Sequence, residues 1–99
     1  MSENITRDEF AGQLNSVFSV FFTPAKPREA ELVNVGELNR RAFQESFSIV
    51  FHVPTDVYYE QNVYKVAHPV LGSFELFLVP VKQTVNGINY EAVFSRLTE

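Results

Sequence analysis

Apolar residues recur along this chain at two different spacings. Near the N-terminus the spacing is helical, with Phe10 and Leu14 four apart on what would be one helix face. Ahead of them, Thr6-Arg7-Asp8-Glu9 fits a capping box, in which the threonine hydroxyl and the glutamate carboxylate satisfy each other's orphan amides. Asp8 and Glu9 stand in the first turn, where the helix dipole favours negative charge. Ile5 is placed to pack on Phe10 as a hydrophobic staple. Gly12 lowers the propensity, and the pattern lapses after Leu14. The spacing therefore predicts a short helix over 5–14, acting as a lid.

From Val17 onward the period is two, the signature of strands. Phe18, Val20 and Phe22 share one face of a first strand over 17–22, with Val17, Ser19 and Phe21 on the other. Thr23-Pro24-Ala25-Lys26-Pro27 ends it, because neither proline can donate to a ladder. A second strand is expected over 30–38, where Val33 and Val35 share a face and Gly36 marks a bulge bringing Leu38 onto it. Polar residues 39–45 read as a loop or a single helical turn. The cleanest alternation is over 46–53: Phe47, Ile49, Phe51 and Val53 against Ser46, Ser48, Val50 and His52. A strand over 62–68 sets Val63, Lys65 and Ala67 against Tyr64, Val66 and His68. A near-continuous apolar strand over 73–81 follows the corner at Pro69 to Gly72, and such a run is covered on both faces. Asn86-Gly87 predicts a type I′ hairpin turn into a last strand over 88–96, carrying Tyr90, Ala92 and Phe94. About six short strands with turn signals between them predict a mainly β protein, a small antiparallel barrel or sandwich with a short N-terminal helix.

The length of 99 residues is that of one domain, with the β-sheet body over 16–96. No cysteine is present, which excludes a disulfide framework and thiolate metal sites. Eight basic against twelve acidic residues leave a net charge of −4, the wrong sign for a nucleic-acid footprint. No apolar run approaches the roughly 20 residues of a membrane helix, and Met1-Ser2-Glu3-Asn4 lacks the basic and apolar regions of a signal peptide. The expectation is a cytoplasmic domain that engages neither membrane nor nucleic acid.

Chemistry is sparse. His52 and His68 are the two imidazoles, and both fall opposite their strand's main apolar positions or beside a turn, as surface residues do. A catalytic arrangement would orient one of them with Asp56 or Glu60 and use Ser46 or Ser48 as nucleophile, but no nucleophile-elbow motif accompanies these serines. Two histidines sixteen positions apart lack the tight ligand spacing of zinc motifs. Glycines 12, 36, 72 and 87 form no phosphate-binding loop. Lys26, Arg28, Arg40 and Arg41 are diluted by Glu29, Glu31, Glu37 and Glu45 into a salt-bridged, solvated surface. The reading is of no enzyme, no cofactor and no metal.

Aromatics carry more information, with ten Phe and four Tyr in the chain. Most alternate as core positions do. The strands around Phe21 and Phe77, however, are apolar on both faces, and a domain of this size has one core. Phe10 and Leu14 of the helix would cover one outer face, leaving the other for a second protein chain or a second copy. Adjacent Tyr58 and Tyr59 suit an interface, having apolar area with a polar tip. Phe21, Tyr58, Tyr59, Phe77 and Val79 are the candidate contact residues. A barrel whose rings line a cavity for an apolar small molecule is the alternative.

The words of the C-terminal half form a pattern: Ser46-Phe47-Ser48-Ile49-Val50-Phe51, Gln61-Asn62-Val63-Tyr64, His68-Pro69-Val70-Leu71-Gly72, Leu76-Phe77-Leu78-Val79-Pro80-Val81, and Tyr90-Glu91-Ala92-Val93-Phe94. In this the chain resembles a small bacterial domain family of unknown function with the pattern F-S-L-x-F, Q-x-x-Y-x-x-x-H-x-x-L-G, L-F-L-x-P-V and Y-E-A-x-F. The resemblance implies an accessory protein associated with phage-tail-like assemblies. It departs from many members at residues 39–45 and 52–60, which lack their glycine-rich connections. Among the motif positions, Gln61 and His68 are expected to hydrogen-bond around the corner made by Pro69 and Gly72. Tyr64 is expected to turn its ring inward and its hydroxyl to a rim acceptor.

Overall fold

The structure, a computed structural model, describes residues 5–97; the Met1-Ser2-Glu3-Asn4 stretch read for targeting features lies outside them. One helix, α1 (Arg7–Ala11), precedes seven strands: β1 (Val17–Thr23), β2 (Lys26–Val35), β3 (Asn39–Arg41), β4 (Gln44–Val53), β5 (Asn62–His68), β6 (Gly72–Thr84) and β7 (Gly87–Leu97). All pairings are antiparallel. Six strands close a barrel in the order β1-β2-β4-β7-β6-β5, and β3 is the extra strand. β4 organises the closure. One of its edges pairs with β7 along its full length, while its other edge is shared end to end by β3 over 44–46 and β2 over 49–52.

The inward residues are those the period of two selects. Phe18, Val20 and Phe22 of β1, Ile49, Phe51 and Val53 of β4, Phe74, Leu76 and Leu78 of β6, and Ile88, Tyr90 and Ala92 of β7 are buried in one cluster. Phe47 and Phe94, partly buried, stack at 4.8 Å toward the barrel mouth. β2 differs from expectation: Ala30 and Leu32 point in, Val33 is exposed, and the bulge lies between Leu32 and Asn34 instead of at Gly36. The strand also begins earlier. Pro24-Ala25 makes the turn, and Pro27 sits within β2 where the register with β1 slips, so no ladder N–H is demanded of it.

The β6–β7 turn also departs from the reading. β6 and β7 meet through Val85-Asn86, paired across Thr84 and Gly87, and neither Asn86 nor Gly87 has a positive φ. The turn is therefore not type I′. Gly87 answers a different need, because a Cβ there would run into the carbonyl of Val53. At the β5–β6 corner, residues 69–71 form a three-residue connection and Gly72 supplies the left-handed conformation at φ 89°.

α1 is shorter than predicted and plays a different part. The capping box is formed, with the Thr6 hydroxyl accepting from Glu9 N–H at 3.2 Å and Glu9 accepting from Thr6 N–H at 2.8 Å. Gly12 caps the helix after five residues, and Asn15 turns the chain at φ 72°. The helix does not lie on an outer sheet face, and Leu14 is exposed. Instead Phe10 enters the barrel mouth and is fully buried, its ring 5.3 Å from Phe94, 6.0 Å from Phe74 and 6.4 Å from Phe18. α1 is a plug. Among the described residues no helix is long and apolar enough to cross a membrane.

Candidate interaction surface

The strands expose their alternate side chains on the outside of the barrel. Val63 of β5 stands directly opposite Phe77 of β6, and Lys65 opposite Glu75 one step along the same face. Phe77 and Val63 are each about half exposed, at 51% and 52%, and Val93 of β7 is 67% exposed. Phe77 and Val93 border a cleft of about 900 Å³ between β6 and β7, and Phe10 lines it as well. The β6–β7 ladder runs from Thr84 and Gly87 to Val79 and Glu91. Beyond it Phe74 and Phe94 both pack on the Phe10 ring, so the helix plug occupies the place where the two strands part.

The five candidate contact residues do not fare alike. Phe77 and Tyr58 face solvent. Phe21 is half-buried on the outer face, where the Lys65 ammonium lies 5.5 Å from its ring centroid, a cation–π contact that covers part of the ring. Val79 is half-buried opposite Glu91. Tyr59 is not a surface ring: it stacks on Phe22 at 4.2 Å and 8°, and its N–H donates to the Tyr90 hydroxyl at 3.1 Å. Tyr58 and Tyr59 therefore do not share one exposed surface: Tyr58 faces solvent while Tyr59 packs against the core.

Of the motif residues, Tyr64 turns its ring onto Phe22 at 4.8 Å, and its hydroxyl donates to the Glu60 carbonyl. Burial raises the Tyr64 pKa, with the charges of Glu60 and Tyr59 adding to it. Gln61 lies just before β5, at the opposite end of that strand from the corner, and takes no part in it. His68 alone serves the corner. Contrary to expectation it is buried, its ring 4.2 Å from that of Phe18 and tilted 35° to it. Its Nδ1 accepts the N–H groups of Val70 at 3.1 Å and Leu71 at 3.2 Å. That fixes the proton on Nε2, which lies 3.0 Å from Ser16 Oγ and donates to it; Ser16 in turn donates to the Gln13 carbonyl at 2.7 Å. Burial lowers the His68 pKa. His52 is on the outer face, with Nδ1 2.8 Å from Asn89 Oδ1. The two imidazoles thus sit on opposite sides of the barrel wall, and neither is hydrogen-bonded to Ser46, Ser48, Asp56 or Glu60. Among the described residues no group of three or more His, Asp or Glu side chains is placed to hold a metal ion.

A second groove, of about 500 Å³, runs between α1 and the β3–β4–β7 end, with Ile5, Leu38, Phe47 and Phe94 among its walls. Glu45, read from the sequence as a surface charge, is buried there. It stands opposite Arg40 on one side and Arg96 on the other. Arg96 Nη2 reaches its Oε1 at 2.6 Å, and Arg40 Nε reaches Oε2 at 3.4 Å. No signal in the linear sequence pairs Glu45 with a residue 51 positions away. The pairing follows only once the β4–β7 register is known.

A family model for a domain of unknown function, DUF6916, matches residues 5–94, and the chain belongs to that family. No curated protein and no solved structure matches it.

Proposed function

We propose that this DUF6916 domain is a non-catalytic protein-interaction or structural accessory module of the cytoplasm, working within a multi-protein assembly such as a phage-tail-like one. The observation that carries the reading is the apolar outer strip of Val63, Phe77 and Val93, each half or more exposed. The barrel interior is already filled by its own side chains: Phe10, Phe18, Phe51, Leu32, Ile49 and Tyr90 have no exposed surface. Storage of an apolar molecule along the barrel axis therefore finds no support in the packing. Burying the strip against a partner would gain about 25 cal/mol per Å² of apolar area removed from water.

Light scattering at micromolar concentration and affinity capture from the native lysate, run in parallel on the wild type and Phe77→Asp, test the proposal. The expected result is an associated species or a captured protein that is lost in the variant, with an unchanged circular dichroism spectrum. A monomer that captures the same set of proteins with and without the substitution would overturn it.

A further inference from the structure

One imidazole joins two parts of the chain that are distant in sequence. His68 closes β5, and through Nδ1 it holds the amides of Val70 and Leu71 at the corner leading into β6. Through Nε2 it reaches Ser16, which lies in the connection from α1 to β1 and is itself bonded to Gln13 at the end of the helix turn. The ring is a bridge between the corner and the plug. We infer that His68 is an acid-operated latch: the neutral ring ties the α1 plug to the β5–β6 corner, and a proton taken up at Nδ1 releases both.

The geometry sets the direction. Two N–H groups point at the Nδ1 lone pair, so a proton there removes both acceptor bonds and sets three N–H groups against one another. A buried donor left without an acceptor costs about 1–3 kcal/mol. The groups around the ring offer no compensation. Phe18 and Ser16 approach from β1 and its lead-in, and Val70 and Leu71 from the corner; none is charged, and no carboxylate among the described residues is hydrogen-bonded or ion-paired to the imidazole. The protonated ring thus belongs to an open form in which Nδ1 faces water. Opening breaks the Ser16 side-chain link as well, so the segment that seats Phe10 in the mouth is left held by the backbone bonds of Asn15 and Ser16 with Leu32 and by the Arg7 bond to the Gly36 carbonyl.

Amide hydrogen exchange by NMR between pH 7.5 and 5.0, corrected for intrinsic rates, reads this directly. The open population is expected to rise by up to tenfold per pH unit below about 6.5, the unperturbed histidine value. It should do so at Val70 and Leu71 and at the amides of Gly12 and Gln13 that close α1 through bonds to Asp8 and Phe10. The barrel amides of Phe51 and Tyr90 should keep their protection. His68→Gln, which retains a side-chain acceptor and donor without titrating, should abolish the pH dependence. Should that variant fail to fold, Ser16→Ala decides: the corner amides should still respond to acid while the α1 amides no longer follow them. The inference is overturned by pH-independent exchange at the corner, by loss of protection at Phe51 and Tyr90 in step with it, by an unchanged pH response in a folded His68→Gln, or by α1 amides that still track the corner in Ser16→Ala.

Discussion

At Gly87 the constraint is the nearness of another strand. The backbone angle is ordinary, but the carbonyl of Val53 occupies the space a Cβ would need. Gly87→Ala should therefore push β7 from β4 at the end of their ladder and cost roughly 1–3 kcal/mol, as overpacking does. Urea unfolding checks it, and a loss under 0.5 kcal/mol would mean the strands give way freely. His68 sets a second residue-scale expectation. Its pKa is lowered by burial, so the unfolded chain binds the proton first. The stability it confers is complete above about pH 6.5 and is lost as pH falls below that value. The urea midpoint of the wild type should fall between pH 7.5 and 5.5, more steeply than that of His68→Gln. The face of this histidine was not legible beforehand, because Val63 and Ala67 on one side of the strand are as apolar as Tyr64 and Val66 on the other. Lys65 alone is charged there, and a lysine stem can lie along either face; the Phe18 ring against the imidazole is what places His68 inside.

Among the elements, the strands with one plainly apolar side were readable, and those formed by their neighbours were not. The alternation from Phe47 to Val53 fixed the inner face of β4, and Tyr90, Ala92 and Phe94 did the same for β7. β3 carries Asn39, Arg40 and Arg41, all exposed, with no alternation to read; it is a strand because β4 offers an edge where β2 has ended. α1 shows the opposite combination. Its cap was legible in four residues, yet its role was not, since a sequence cannot say whether Phe10 lies across a sheet or down a barrel. The plug has a measurable consequence. Thr6→Ala removes the N-cap acceptor and should cost about 0.5–2 kcal/mol, whereas Phe10→Ala empties the mouth and should cost about 3–5 kcal/mol. Comparable small losses from both would mean that Phe10 is held by its helix alone and not by Phe74 and Phe94.

On the scale of the whole barrel, the wall divides the aromatic residues into two populations with opposite duties. Phe51 has no exposed surface and lies 5.1 Å from Phe18 in a T-shaped contact; Phe77 leaves half its surface in water. Both rings belong to strands that alternate, and the sequence held enough to sort them, since Phe74, Leu76 and Leu78 share the parity opposite to Phe77. It did not say how much of the outer parity the fold would cover. Lys65 covers part of Phe21 by reaching over it, and Tyr59 leaves the surface altogether to stack on Phe22. Phe77 stays open together with its cross-strand neighbour Val63 and with Val93. A matched pair of substitutions separates stability from association. Phe51→Ala should lower unfolding free energy by about 3–5 kcal/mol and leave any association of the surviving folded fraction intact. Phe77→Ser should change stability by no more than about 0.5 kcal/mol and remove the association. Denaturant unfolding and light scattering on the same two proteins give both readouts. If Phe77→Ser instead unfolds the domain, the ring is structural, and the outer strip does not serve as a contact surface.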